Sequence, residues 1–325
     1  MPIQVRTPAR LHLGQLDLSG SLGRKFGGLG VAIQEPNVKL EIYPEQDLVL
    51  EGVDVELLRE LVDRFYQHFQ LTPKVRVRVV STIPAHIGLG SGTQLRLAVA
   101  DGLARFHGLK VPVPELARIM NRGESRSAIG TTAYATGGFV VDGGLKSVNL
   151  PELTKGVAPP PVLFRHDFPQ DWFAVITIPA EQSGLDEKSE TKAFKKLSPM
   201  PDEDSGRICR LVLMKLLPSL LEHEAQDFGA ALSEIQGVIG RYFSPVQGGC
   251  FASPVSAELA DYCLKEGAFA ASQSSWGPSI YAFVEGQDAA ERLKSKMERM
   301  LEKFGGGSVL VTAADNQGTR VTGSA

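Results

Sequence analysis

Pro84-Ala85-His86-Ile87-Gly88-Leu89-Gly90-Ser91-Gly92-Thr93-Gln94 is the stretch on which the fold turns. Upstream, VRVRVVSTIP (75–84) alternates as a strand with one buried face does, and downstream Leu95, Val99, Leu103 and Phe106 recur at helical spacing. The order is strand, glycine loop, helix. Backbone amides and the positive end of the helix dipole then converge on one small volume, which suits a phosphate or pyrophosphate. Gly88, Gly90 and Gly92 permit positive φ and close backbone approach, while the hydroxyls of Ser91 and Thr93 can donate to phosphate oxygens or help ligate Mg²⁺. The spacing fits a second reading equally: a tight turn followed by an N-cap from Ser91 or Thr93. No Lys-Ser/Thr follows, so the loop is not a Walker A motif, and it lacks the dinucleotide GxGxxG with an acid about twenty residues on.

Working outward, the first forty residues read as two or three strands (IQVRT, LHLGQLDL, VAIQEPNVKLEIYPE) around the glycine-rich SGSLGRKFGGLG. A helix is predicted over 53–69 and a short one over 113–123, with Pro114 in its first turn. Residues 123–144 compress a turn, a short helix and a strand, and Pro-rich GVAPPPVLF (156–164) is the best candidate linker. Beyond it come a buried strand (DWFAVITIPA), one or two helices over 207–239, a loop PVQGGCFASP, and a helix over 256–266. A turn and strand follow in GAFAASQSSWGPSIYAFVEG, then an amphipathic helix (288–304), a last strand (GSVLVTAA) and a polar tail. Strands and helices mix without regular βαβ alternation and without internal repeat, so two α+β domains are expected, cut at 1–160 and 161–325.

Composition agrees with this size. The 325 residues, 43% hydrophobic, suffice for about two cored domains. With 34 Lys plus Arg against 37 Asp plus Glu, the net charge of −3 recommends neither a nucleic-acid nor an anionic-membrane partner. Cys209, Cys250 and Cys263 are odd in number and form no CxxC pair, which argues against a disulfide framework or a zinc site. With no apolar signal segment and no membrane-length stretch, the expected location is cytoplasmic.

PAHIGLGSGTQ resembles the phosphate loop of the GHMP kinase superfamily, and its GLGSGTQL variant resembles the β-ribofuranosylaminobenzene 5′-phosphate (β-RFAP) synthases. The likeness extends through TPARLHLGQLDLSGSLGRKFGGLGVAI (7–33), RSAIGT (126–131), GGFVVDGG (137–144), QGGCFAS (247–253) and SQSSWGPSIYAF (272–283), nearly the whole chain. It implies a domain like ribosomal protein S5 domain 2 and a ferredoxin-like domain, with the site in the cleft between them. It also implies a reaction of tetrahydromethanopterin biosynthesis and one-carbon metabolism. A ring carbon of 4-hydroxybenzoate or 4-aminobenzoate attacks C1 of phosphoribosyl pyrophosphate (PRPP), releasing CO₂ and pyrophosphate with Mg²⁺ assisting. Two alternatives stand beside it, a small-molecule kinase using ATP and a catalytically silent binding protein. A superfamily kinase usually presents an Asp after a small-residue turn; here Thr131, Thr132 and Ala133 stand at that place.

Under this resemblance the candidate catalytic residues are Asp17, Arg24, His86 and His12. Asp17 would hold Mg²⁺ or face the cationic sugar, or be an ordinary turn residue. Arg24 or Lys25 would bind the 5′-phosphate or the carboxylate, or be solvated. Arg10 and His12, at i and i+2 on a strand, share a face; His12 is otherwise a structural histidine. His86 would reach a phosphate or act as base. Gly88, Gly90, Ser91, Gly92 and Thr93 form the pyrophosphate cradle, with Ser91 and Glu124 as further metal candidates. Arg126 and Ser127 would bind substrate or cap a helix. Gln273, Ser274, Ser275 and Trp276 form a turn in which Trp276 would stack on the aromatic ring or belong to the core. The run AADNQGTRV replaces the family's arginine-richer ARNxGA, leaving Arg320 as the possible substitute phosphate contact. The partners expected are small molecules, with a homodimer left open.

Overall fold

The computed structural model describes residues 2–52, 54–120, 126–147, 159–180 and 187–323. Two long strands, β1 (Ile3–Asp17) and β2 (Arg24–Pro44), pair antiparallel from Ile3 opposite Ile42 to Asp17 opposite Phe26. Alternation buries Leu11 and Leu13 on one face of β1 and leaves Arg10 and His12 on the other. The register shifts between Thr7 and Ala9 and again between His12 and Gly14, and such irregularities bend a strand.

Next come β3 (Val49–Glu51), α1 (Val55–Phe69), β4 (Val75–Ser81), α2 (Ser91–Phe106), α3 (Val113–Ile119) and α4 (Ile129–Thr136). Then follow β5 (Phe139–Asp142), β6 (Leu145–Lys146), β7 (Val162–His166) and β8 (Trp172–Pro179). The next helices are α5 (Glu187–Lys196), α6 (Asp202–Leu211), a π-helical turn (Val212–Leu216), α7 (Leu217–Leu221), α8 (Ala225–Gln247) and α9 (Pro254–Lys265). Strands β9 (Ala270–Gln273) and β10 (Ile280–Glu285), helix α10 (Gln287–Glu302), and strands β11 (Gly307–Thr312) and β12 (Arg320–Thr322) complete the chain.

The first sheet runs β12-β1-β2-β4-β3, with β5 and β6 pairing β2, and β7 pairing β5. Helix α2 lies against β1 and β2, and its apolar residues Leu97, Ala98, Val99, Ala100 and Leu103 are fully buried. Each larger side chain among them stabilises the domain by about 1.5–3 kcal/mol. The second sheet, β11-β8-β10-β9, is wholly antiparallel. Numbered within their own half, its strands follow the order 4-1-3-2, with helices between the first and second and between the third and fourth. This is the expected ferredoxin-like arrangement. Both β7 and β12 lie beyond residue 160 yet belong to the first sheet, so the two sheets do not part at a single cut in the sequence.

One apolar core crosses the junction. Phe139 of β5 stacks on Phe168 at 6.3 Å and meets Phe228 of α8 edge-on at 6.0 Å, and Phe168 in turn meets Trp172 at 5.4 Å. The two halves are therefore packed together behind the cleft they form. No helix among the described residues is long and apolar enough to cross a membrane.

Candidate active site

Strand β4 ends at Ser81, and the chain passes through Thr82–Gly90 into α2. The N-cap of α2 is Gly90, at φ 84°, with no side chain capping it. This decides between the two readings of the glycine loop. The hydroxyls of Ser91 and Thr93 cap nothing, and they and the N–H groups of Ser91 and Gly92 have no hydrogen-bond partner among the described residues. Four donors are thus left open at the start of a helix of sixteen residues.

The loop is clamped from behind. Gly88 O accepts from Arg10 Nη1 on β1 and from Ser274 Oγ (2.7 Å) in the other half, while Leu89 O accepts the Arg10 N–H (3.1 Å). Gly88 has φ 80°, and a Cβ there would lie 2.4 Å from Ser274 O, so only glycine permits this approach.

In front of the loop opens a cleft of about 570 Å³ between the two halves. It is lined by Arg10, His12, His86, Gly88, Gly90, Ser91, Gly92, Thr93, Arg126, Ser127, Gln273, Ser275 and Trp276 of the residues singled out in the sequence. Its lining guanidiniums are Arg10, Arg96 and Arg126, and Asp54 is the carboxylate among the described lining residues. The cleft is therefore positive in a chain of net charge −3. Burial, reinforced by the neighbouring Arg10 charge, pushes the His12 imidazole down to about 3, so it stays neutral. His86 is exposed on the loop in a left-handed conformation (φ 58°).

One wall is aromatic. Trp276 meets Phe243 at 4.7 Å and Phe194 at 5.6 Å, and the Arg126 guanidinium lies 4.7 Å from the Phe194 ring centre and 5.8 Å from that of Phe26. Trp276 is only partly buried and faces the cleft, so it is both packed and available.

Several expected residues lie elsewhere. Asp17 Oδ1 accepts from Ser19 N (2.7 Å), Ser19 Oγ (2.8 Å), Gly20 N (3.0 Å) and Ser205 Oγ (3.2 Å), building the turn after β1 and docking α6. Burial pushes its carboxyl up, but these donors outweigh burial and the net shift is downward. Arg24 donates through Nε to Gly143 O (2.8 Å) and through Nη2 to Gly144 O (2.7 Å). Lys25 packs its stem against Gly20, and its amine is pushed down by burial, with Asp17 opposing. None of the three lines the cleft. Ser274, fully buried, accepts the His12 N–H (3.0 Å) and clamps Gly88 rather than facing a ligand. Gln273 Oε1 accepts the Ala252 N–H (2.7 Å). Ser127 Oγ accepts the Ile129 N–H (3.1 Å) at the start of α4 and donates to Asp142 (2.8 Å), while also reaching the cleft. Arg320 is paired with Gln317 and Asp315 outside the lining, so it does not replace the missing arginine there. Glu124 lies outside the described residues.

Sequence reasoning missed Arg96 and Asp142. Asp142 is fully buried and accepts from Ser127 Oγ, Ala128 N and Gly144 N; burial pushes its carboxyl up in spite of them. It lies at the interior end of the Ser127 contact, not in the cleft.

Against known proteins, residues 56–138 match the model of the GHMP kinases N terminal domain and residues 216–303 that of the GHMP kinases C terminal domain. The chain is 34% identical to the beta-ribofuranosylphenol 5′-phosphate synthase of Methanothermobacter thermautotrophicus, over 97% of both chains. The chain belongs to this synthase family. The Methanocaldococcus jannaschii synthase is 33% identical over 98% of this chain and 99% of its own. Among solved structures, a homoserine kinase from Cytophaga hutchinsonii superposes with a TM-score of 0.69 at 19% identity, covering 99% of this chain and 97% of its own. The mevalonate kinase of Methanococcus jannaschii gives 0.67 at 14%, covering 96% and 98%. These likenesses establish the two-domain α+β GHMP kinase-like fold. The relatives are synthases by name, enzymes whose product is a small molecule.

Proposed function

We propose that this chain transfers the phosphoribosyl group of PRPP to a para-substituted benzoate with loss of CO₂ and pyrophosphate, as a step toward tetrahydromethanopterin. The observation that carries the reading is the cleft's composition: an open amide and hydroxyl cradle beside an aromatic wall, in a chain related to the synthases over its full length. A phosphoryl-transfer base is not supported. Thr131, Thr132 and Ala133 occupy α4, and none of them lines the cleft.

The cradle of Ser91, Gly92 and Thr93 receives the pyrophosphate. As the C1–O bond breaks, negative charge grows on the leaving group, and fixed donors that need no reorganisation favour that change. The ring carbon bearing the carboxylate bonds to C1. The bond to the carboxylate then breaks, its electron pair restores the ring, and CO₂ departs. Trp276 and Phe243 hold the ring, with Arg126 orienting the carboxylate at the same wall. His12, held neutral, accepts a hydrogen bond, and His86 takes the proton of the para substituent as the ring attacks and returns it once CO₂ has left.

Mg²⁺ would neutralise the diphosphate. The described lining offers the Ser91 and Thr93 hydroxyls and Asp54, whose Oδ1 accepts the Leu57 N–H (3.2 Å). That donor set suits an ion arriving on the diphosphate and completed by Ser91, because Mg²⁺ is usually held by one or two carboxylates together with substrate phosphates and not in an all-protein cage. The test is product analysis after incubation with PRPP, Mg²⁺ and each benzoate. A ribosyl phosphate adduct lacking the carboxyl carbon is expected. ADP formation from ATP with a small alcohol or acid, and no such adduct, would replace this reading by a kinase; binding without any turnover would replace it by a silent protein.

A further inference from the structure

We propose that Arg96 grips the second phosphoryl group of the diphosphate and so sets a preference for diphosphates over monophosphates. The proposal rests on the reading of the glycine loop as a phosphate cradle. Two other arginines on α1 and α2 pair with a carboxylate four residues earlier: Arg64 with Glu60 at 2.9 Å and Arg105 with Asp101 at 3.0 Å. Four residues before Arg96 stands Gly92, and Arg96 makes no hydrogen bond or ion pair with any described residue.

Its guanidinium is nevertheless placed. Nη1 lies 3.3 Å from where a Cβ on Gly92 would be, so the side chain folds back along the helix over its first turn. A larger residue at 92 would press on it. Glycine here therefore leaves room for a cation beside a backbone N–H that the start of the helix leaves open. The other lining guanidiniums have different engagements, Arg10 with Gly88 O and Arg126 on the faces of Phe194 and Phe26. A first phosphoryl group on the amides and hydroxyls leaves its neighbour against the Arg96 fork, whose planar geometry suits two oxygens at once.

Calorimetric titration with inorganic pyrophosphate and with inorganic phosphate, Mg²⁺ present, tests the assignment on wild type, Arg96→Ala, Arg96→Lys and the double variant Ser91→Ala with Thr93→Ala. Arg96→Ala is expected to weaken pyrophosphate about tenfold or more and phosphate less than about threefold, as loss of a charge-assisted contact predicts. Arg96→Lys should fall between, the double variant should weaken both ligands, and the unliganded melting temperature of Arg96→Ala should match wild type. Wild-type pyrophosphate affinity in Arg96→Ala, or equal loss of both ligands, overturns the Arg96 assignment while leaving the cradle. Absence of pyrophosphate binding to the wild type overturns both.

Discussion

Ser274→Ala separates a clamp from a ligand contact. The Ser274 hydroxyl joins the two halves: it accepts the His12 N–H at 3.0 Å and donates to Gly88 O at 2.7 Å, and the residue is fully buried. Removing it leaves the His12 N–H without that acceptor, which costs about 1–3 kcal/mol, and takes from Gly88 O one of two donors, about 0.5–1.5 kcal/mol. Arg10 still serves Gly88 O, so the expected total is about 2–3 kcal/mol. With an unfolding entropy of about 2.1 cal/mol/K per residue, a cooperative unit of this length melts about 1.5 °C lower per kcal/mol, giving a drop of about 3–4 °C. Urea and thermal denaturation of the unliganded protein read it directly. Wild-type stability together with weakened pyrophosphate binding would refute the clamp and make Ser274 the ligand contact its sequence suggests.

Three further outcomes are expected. Ser91→Ala with Thr93→Ala should weaken PRPP binding by about 1.5–3 kcal/mol per lost contact in titration calorimetry, with an unchanged urea midpoint because neither hydroxyl has a partner among the described residues. Arg24→Gln removes donors from Gly143 O and Gly144 O and should destabilise the fold by about 1–3 kcal/mol in urea. His12, neutral in the fold down to about 3, binds its proton in the unfolded chain near the ordinary histidine value, so its contribution is complete above about pH 6.5 and is lost as pH falls toward 3. The urea-derived stability difference between wild type and His12→Gln should therefore shrink on acidification, by at most about 1.4 kcal/mol per pH unit; a difference independent of pH between 7 and 4.5 would count against it, other groups such as the half-buried His107 cancelling in the comparison.

The strand, loop and helix of residues 75–106 were legible because alternation and helical spacing meet at the glycines. What the loop holds was not, because a hydroxyl at the start of a helix serves equally as cap or as ligand donor until the backbone shows where the helix begins. Gly90, not Ser91 or Thr93, occupies that position. The loop expected at PVQGGCFASP is in part the end of α8, which continues through Pro245 to Gln247. The N–H that proline lacks would have served Arg241 O, and Ser244 Oγ donates to that carbonyl instead at 2.8 Å. The start of α9 was displaced for the opposite reason: Ser253 caps it by accepting the Ser256 N–H (3.0 Å), and Pro254 takes the first helical position. The polar tail hides a strand, β12, too short to show alternation, which pairs Val321 with Val5. Arg96 escaped notice because an arginine on a helix reads as a solvated charge. The signal was its i−4 neighbour, a glycine where Arg64 and Arg105 have acids.

The most direct measurement is release of labelled CO₂ from carboxyl-labelled 4-hydroxybenzoate and 4-aminobenzoate, run side by side with PRPP and Mg²⁺ and with pyrophosphate counted in the same samples. The proposed transfer yields CO₂ and pyrophosphate in equal amounts from at least one benzoate, dependent on PRPP. Neither product above background with active, folded protein, or pyrophosphate without CO₂, would contradict it.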